Sequence, residues 1–285
     1  VHVFDGDHRE PGVGGTLAAD RAVFALRTDT NIDLGGFRLQ VGDTTTPANG
    51  GGIILNNGAS IHGGLGSRIN IEDTALSLYV DDAAVSSLNV PIRNYRSNAT
   101  NTLTTVLTKF GAGTLQVNAV QEFEGNIELN RGALTFGAAN VLPFFSNLGG
   151  TSGSVIIMSP GTTIDLNGFD QEFGNLSAIN PSNSFQFAAG TLILGGNTLT
   201  VGRQDTSQEF NGQILGTAGS RIVKSGTGTL TLSNINGNRP NSLDTLEITQ
   251  GGVSAWVNDN SWATPTTNTS AIPSTTTILL RGGTF

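Results

Sequence analysis

The chain's two lysines, Lys109 and Lys224, each open the same phrase: KFGAGTLQV at 109–117 and KSGTGTLTL at 224–232. A basic residue, a Gly-x-Gly turn and a Thr-Leu-x-apolar strand recur at an interval of 115 residues, from position 109 to position 224. Recurrence at so long a period marks a chain assembled from repeated units and restricts the fold to architectures that stack. Echoes flank the phrase. GNIELNRGALTF (125–136) is answered by SLDTLEITQGGVSA (242–255), VIIMSPGTTI (155–164) by TILLRGGTF (277–285), and TNIDLGGF (30–37) by TTIDLNGF (162–169). The intervals differ, and the differences fall in turns, where a repeat architecture absorbs insertions. The expected organisation is one continuous solenoid segment over 1–285, with copies at about 30–155 and 156–285.

A finer rhythm runs inside each copy. Ile53-Ile54-Leu55, Ile69-Asn70-Ile71, Leu76-Ser77-Leu78, Leu192-Ile193-Leu194 and Leu199-Thr200-Val201 are short apolar or alternating runs bounded by Gly, Asn, Asp or Ser. This is the strand signal. The one helix-tolerant stretch, TLAADRAVFALR (16–27), also reads as a strand through Val23-Phe24-Ala25-Leu26. The chain is therefore all-β with many short strands. Asn57-Gly58 and Asn167-Gly168 are its best tight turns, yet each lies between strands too short to pair as an isolated hairpin. Short strands with Gly and Asn corners fit a right-handed parallel β-helix of roughly 20–25 residues per coil, rising about 4.8 Å each. A sandwich array is the second choice.

Composition agrees with that choice and narrows the function. Glycine supplies 39 of 285 residues, as many tight corners require, and charged residues only 13%. The hydrophobic share of 37% is too high for a disordered polar tract. No cysteine occurs, so neither a disulfide framework nor a thiolate metal site is available, a pattern compatible with export through an oxidising periplasm. No apolar run approaches the roughly 20 residues of a membrane-spanning helix. A net charge of −8 with 14 basic residues argues against nucleic acid and against an anionic membrane surface. RGGTF closes the chain midway through a phrase whose other copy continues, so the expectation is a segment of a longer protein.

Chemistry-bearing residues are sparse. DGDHRE gathers Asp5, Asp7, His8 and Glu10, but its spacing lacks the acidic ladder of a calcium loop and reads as a solvated terminal segment. Glu122 and Glu124 share a strand face, and Asp81 and Asp82 straddle two faces. Paired carboxylates of this kind serve acid–base chemistry on glycosidic bonds when further charged groups converge on them. GLGS (64–67) and GGTSGS (149–154) carry no P-loop lysine, and no G-x-S-x-G elbow occurs. Trp256 and Trp262 lie in a Pro/Thr/Asn-rich stretch, 254–275, that reads as a loop excursion with a capacity for stacking on sugars. No catalytic, cofactor-binding or metal-binding residue is assigned on these grounds, and no cofactor is expected.

The stretch from 190 to 255 resembles the autotransporter-associated β-strand repeat. Phe210, Gly212, Ile214, Gly216, Lys224, Gly226, Gly228, Thr229, Leu230 and Leu232 fall on that family's pattern. The copy at 109–137 matches more loosely. There Phe110 replaces the small residue after lysine, and VSSLNVPIRNY (85–95) supplies the upstream strand. SNINGNRPNSLD (233–244) and NAVQEFEG (118–125) stand where the family carries an Asn-x-Tyr-x-Gly sequel. The resemblance implies a passenger-type β-helix, extracellular or on a bacterial cell surface, with outer-membrane attachment only through regions outside this chain. It implies a structural role in adhesion, biofilm matrix, filaments or a passenger stalk. The partners would be itself or neighbouring copies, or host or matrix glycans. In this reading the glycines permit corners and each lysine snorkels along a rung edge. The alternative is a β-helical polysaccharide-active lyase or hydrolase.

Overall fold

The computed structural model describes residues 2–4, 15–42, 50–71, 75–81, 83–94, 105–123, 125–142, 154–178, 190–234, 241–257 and 271–284. The chain falls into two compact units, Val1–Pro143 and Phe144–Phe285. Each is built from short strands that pair, in parallel, with strands one coil away, and the fold is a right-handed parallel β-helix.

Unit 1 has three faces. The first stacks Ala25–Thr28, Gly51–Leu55, Leu76–Val80, Thr105–Phe110 and Asn126–Leu129. The second stacks Ile32–Asp33, Ser60–His62, Ser86–Leu88, Thr114–Val117 and Ala133–Phe136. The third stacks Arg21–Val23, Arg38–Val41, Arg68–Ile71 and Ile92–Asn94. Among the described strands, His2–Phe4 pairs antiparallel, with Ala25–Thr28, and covers that edge of the first face.

Unit 2 repeats the plan. One face stacks Thr163–Asp165, Thr191–Gly195 and Gln213–Gly216. Another stacks Gln171–Phe173, Thr198–Val201, Arg221–Lys224, Thr245–Ile248 and Thr277–Leu280. On the third, Gln208–Phe210, Thr229–Asn234 and Gly252–Val257 lie side by side, and Val155–Met158 pairs with Asn175–Ser177.

In strands such as Gly51–Leu55 and Leu76–Val80 alternate side chains are buried and stack as columns, because strand side chains point to opposite faces with a period of two. Leu26, Ile53, Leu78, Lys109 and Leu129 form one such column at steps of 27, 25, 31 and 20 residues. Coils are thus more variable than 20–25 residues, and the register survives because the extra length sits between strands. The strand Gly252–Val257 runs in full register with Thr229–Asn234. The stretch expected as a loop from 254 is therefore strand through Val257, and positions 258–270 lie outside the described residues.

The corners explain why so many strands are so short. In the echoed TNIDLGGF and TTIDLNGF, Asp33 Oδ1 accepts the Gly35 N–H at 2.8 Å and Asp165 Oδ1 accepts the Asn167 N–H at 2.8 Å. Gly35 and Gly36 have φ of 59° and 92°, and Asn167 and Gly168 have 51° and 90°. The turns close through Phe37 N–H to the Leu34 carbonyl at 2.8 Å and Phe169 N–H to the Leu166 carbonyl at 3.0 Å. Two successive positive-φ residues normally fold a strand back as a hairpin. Here the flanking strands bond to neighbouring coils instead, and the turn swings the chain from one face to the next.

Candidate functional site

Among the described residues, the two lysine corners are the most highly built polar sites. Lys109 stands in an inward column between Leu78 and Leu129, and Lys224 in a column with Val201 and Ile248. Both are fully buried. The Lys109 Nζ donates to the carbonyls of Phe110, Gly111, Gly113 and Arg131 at 3.1, 2.7, 2.6 and 3.0 Å. The Lys224 Nζ donates to those of Ser225, Gly226 and Gln250 at 2.5, 2.7 and 3.4 Å. The expectation of snorkelling lysines is therefore corrected. Each side chain turns inward, and its ammonium closes a nest made by the Gly-x-Gly corner and by the corner of the following coil.

The preceding coil joins the same nest. Asp205 Oδ1 accepts the Thr227 N–H at 2.7 Å, and Asp81 Oδ1 lies 3.5 Å from the Ala112 N–H, each the middle residue of a Gly-x-Gly turn. Burial pulls the Lys109 ammonium down to about 8, with the Asp81 charge opposing; Lys224 is lowered by the same cause, with Asp205 opposing. The glycine of the following coil is needed for space. A Cβ on Gly132 would sit 2.4 Å from the Gly113 carbonyl and 2.7 Å from Lys109 Nζ. One on Gly251 would sit 2.4 Å from the carbonyls of both Gly226 and Gly228. An acid, a lysine and a glycine on three successive coils thus form one lock, built twice.

The remaining charges pair along the stack. Glu247 is nearly buried and engages Arg221 of the preceding coil, with Arg281 Nε at 3.1 Å on the other side. Glu172 pairs with Arg203. Nothing in the amino-acid order announces these contacts, because their partners are set by coil length.

Of the carboxylates weighed for catalysis, the two that are described, Glu122 and Asp81, have separate partners. Glu122 is exposed and lies 3.8 Å from Arg93 Nε, with the buried Phe123 beside it, and Glu124 lies outside the described residues. Asp81 serves the Lys109 corner and accepts the Tyr79 hydroxyl, which pushes that phenol up, while Asp82 lies outside the described residues. Asp5, Asp7, His8, Glu10 and Trp262 also lie outside them; the backbone of Trp256 is part of the strand Gly252–Val257. His62 stands 3.9 Å from Asp33. Among the described residues no three His, Cys, Asp or Glu side chains gather as a metal site, and no helix is long and apolar enough to cross a membrane.

One surface feature escaped the reading from sequence. Tyr79 and Phe110 occupy outward positions on adjacent strands of the first face of unit 1. The signal was present: Phe110 is the residue that departs from the repeat pattern, where the second copy has Ser225. Comparison of the chain with protein families, with characterised proteins and with solved structures returns no match.

Proposed function

We propose that this chain is a non-catalytic structural β-helix of the cell exterior, a surface or matrix element of the passenger type whose repeat it resembles. One observation carries this reading. The structural reading draws support from the side chains that chemistry would need: both lysines and Glu247 are taken up in holding coil to coil. Adhesion to a surface or matrix is the role this scaffold serves.

The test is turnover: incubation with neutral and acidic polysaccharides is expected to release neither reducing ends nor unsaturated uronates. Release of reducing ends or unsaturated uronates from polysaccharides would overturn the non-catalytic reading.

A further inference from the structure

On the first face of unit 1, Arg27, Ile54, Tyr79 and Phe110 form one outward column across four adjacent coils. Ile54, Tyr79 and Phe110 are 36%, 38% and 38% exposed. The next outward column along the same strands holds Ala25, Gly52, Ser77 and Thr108. An apolar, largely aromatic ridge therefore borders a floor of small side chains. Gly52 is the telling residue. It lies in mid-strand without a positive φ, and a Cβ there would meet nothing nearer than 3.9 Å. A strand glycine that neither conformation nor crowding demands marks a place where something approaches the backbone closely.

We propose that this face binds an extended neutral glycan, its chain running along the ridge with sugar faces against Tyr79 and Phe110 and one edge over Gly52. Coils about 4.8 Å apart repeat at close to the length of one sugar in an extended chain, so successive units meet equivalent surfaces. Aromatic side chains supply apolar contact, and the hydroxyls of Ser77 and Thr108, the Asp81 carboxylate and the Arg27 guanidinium supply a few polar partners, the usual balance of a ligand site. The net charge of −8, with Asp81 against the Tyr79 hydroxyl, disfavours an acidic polymer. Area separates a glycan from a second copy of the chain. Four rungs at about 4.8 Å across a strand of about five residues enclose roughly 320 Å², less than half of what each partner gives to a standard protein interface.

Affinity electrophoresis in native gels tests it, with hydroxyethylcellulose as the neutral β-linked probe and alginate as the acidic one. Retardation by hydroxyethylcellulose and not by alginate is expected. The Tyr79→Ala/Phe110→Ala double variant should bind at least about tenfold more weakly. Gly52→Val, which fills the floor in a position a strand tolerates, should weaken binding similarly, while Tyr79→Trp retains it. Thermal melts of the variants matching that of the parent establish that the loss is not unfolding. Absence of retardation by hydroxyethylcellulose overturns the proposal. So does stronger retardation by alginate, undiminished binding in the folded double variant, or binding that disappears only with Trp256→Ala.

Discussion

At the scale of single residues, a lysine in an inward column is the least expected feature of this fold, and its geometry gives its energetic role. Burying an ammonium is costly unless its hydrogens are satisfied, and here they are shared among carbonyls that a tight corner would otherwise leave unpaired. Lys224→Met keeps the length and removes the donor, leaving buried carbonyls without partners at a cost of about 3 kcal/mol; urea unfolding should show the lowered midpoint. Lys109→Met should cost more, because four carbonyls converge there. The titration has a definite sign. Lys109 is held at about 8 in the folded chain against an ordinary 10.5, so between those values the unfolded state binds more protons than the folded one. Stability relative to Lys109→Met should therefore be flat below pH 8 and rise from there to pH 10.5. Unfolding of the pair at pH 7, 9 and 10.5 checks this, and a constant difference would show that the carbonyls hold the proton throughout. Gly251→Ala tests the third member of the lock: a φ of 70° and a 2.4 Å approach to two carbonyl oxygens should destabilise by about 1–3 kcal/mol, read from the same melts.

At the scale of the element, the strand and its corner were the legible parts. Alternation in Leu76-Ser77-Leu78 gives the buried, exposed, buried pattern observed, and the duplicated Asp-Leu-x-Gly-Phe phrases give duplicated turns. Parity also carried the fate of the lysines. Leu107-Thr108-Lys109 and Ile222-Val223-Lys224 place each lysine in phase with an inward apolar residue, a signal masked by the habit of assigning charge to the surface. What stayed illegible was every contact between coils, such as Arg221 with Glu247, because a partner about 26 residues away by sequence is fixed only once the intervening loops have their lengths. The outward ridge was hidden for the same reason: Ile54, Tyr79 and Phe110 become neighbours through register alone. The corners themselves can be tested apart from packing. Gly168 has a φ of 90° with no atom near its absent Cβ, so Gly168→Ala carries only backbone strain, about 1–2 kcal/mol. Thermal melts of the variant, compared with the parent, check this.

At the scale of the whole molecule, contacts run between a coil and its immediate neighbours, and this makes stability a nearest-neighbour property. A globular core distributes a local defect across many elements; a stack hands it to the coils above and below. The Lys109 lock joins three coils through Asp81, Lys109 and the Arg131-Gly132 corner. Removing its ammonium should therefore open the strands on either side more than distant ones in the same unit. In Lys109→Met, amide hydrogen exchange is expected to quicken most in Leu76–Val80, Thr105–Phe110 and Asn126–Leu129. It should quicken less in Gly51–Leu55 and least in Ala25–Thr28, whose outer edge is held by His2–Phe4. A uniform acceleration across all five strands would mean that unit 1 unfolds as one cooperative body, and that its corners add stability without localising it. The graded pattern would mean that each lysine fastens its own stretch of the helix, which is the reason for one lock in each unit of a chain otherwise without lysine.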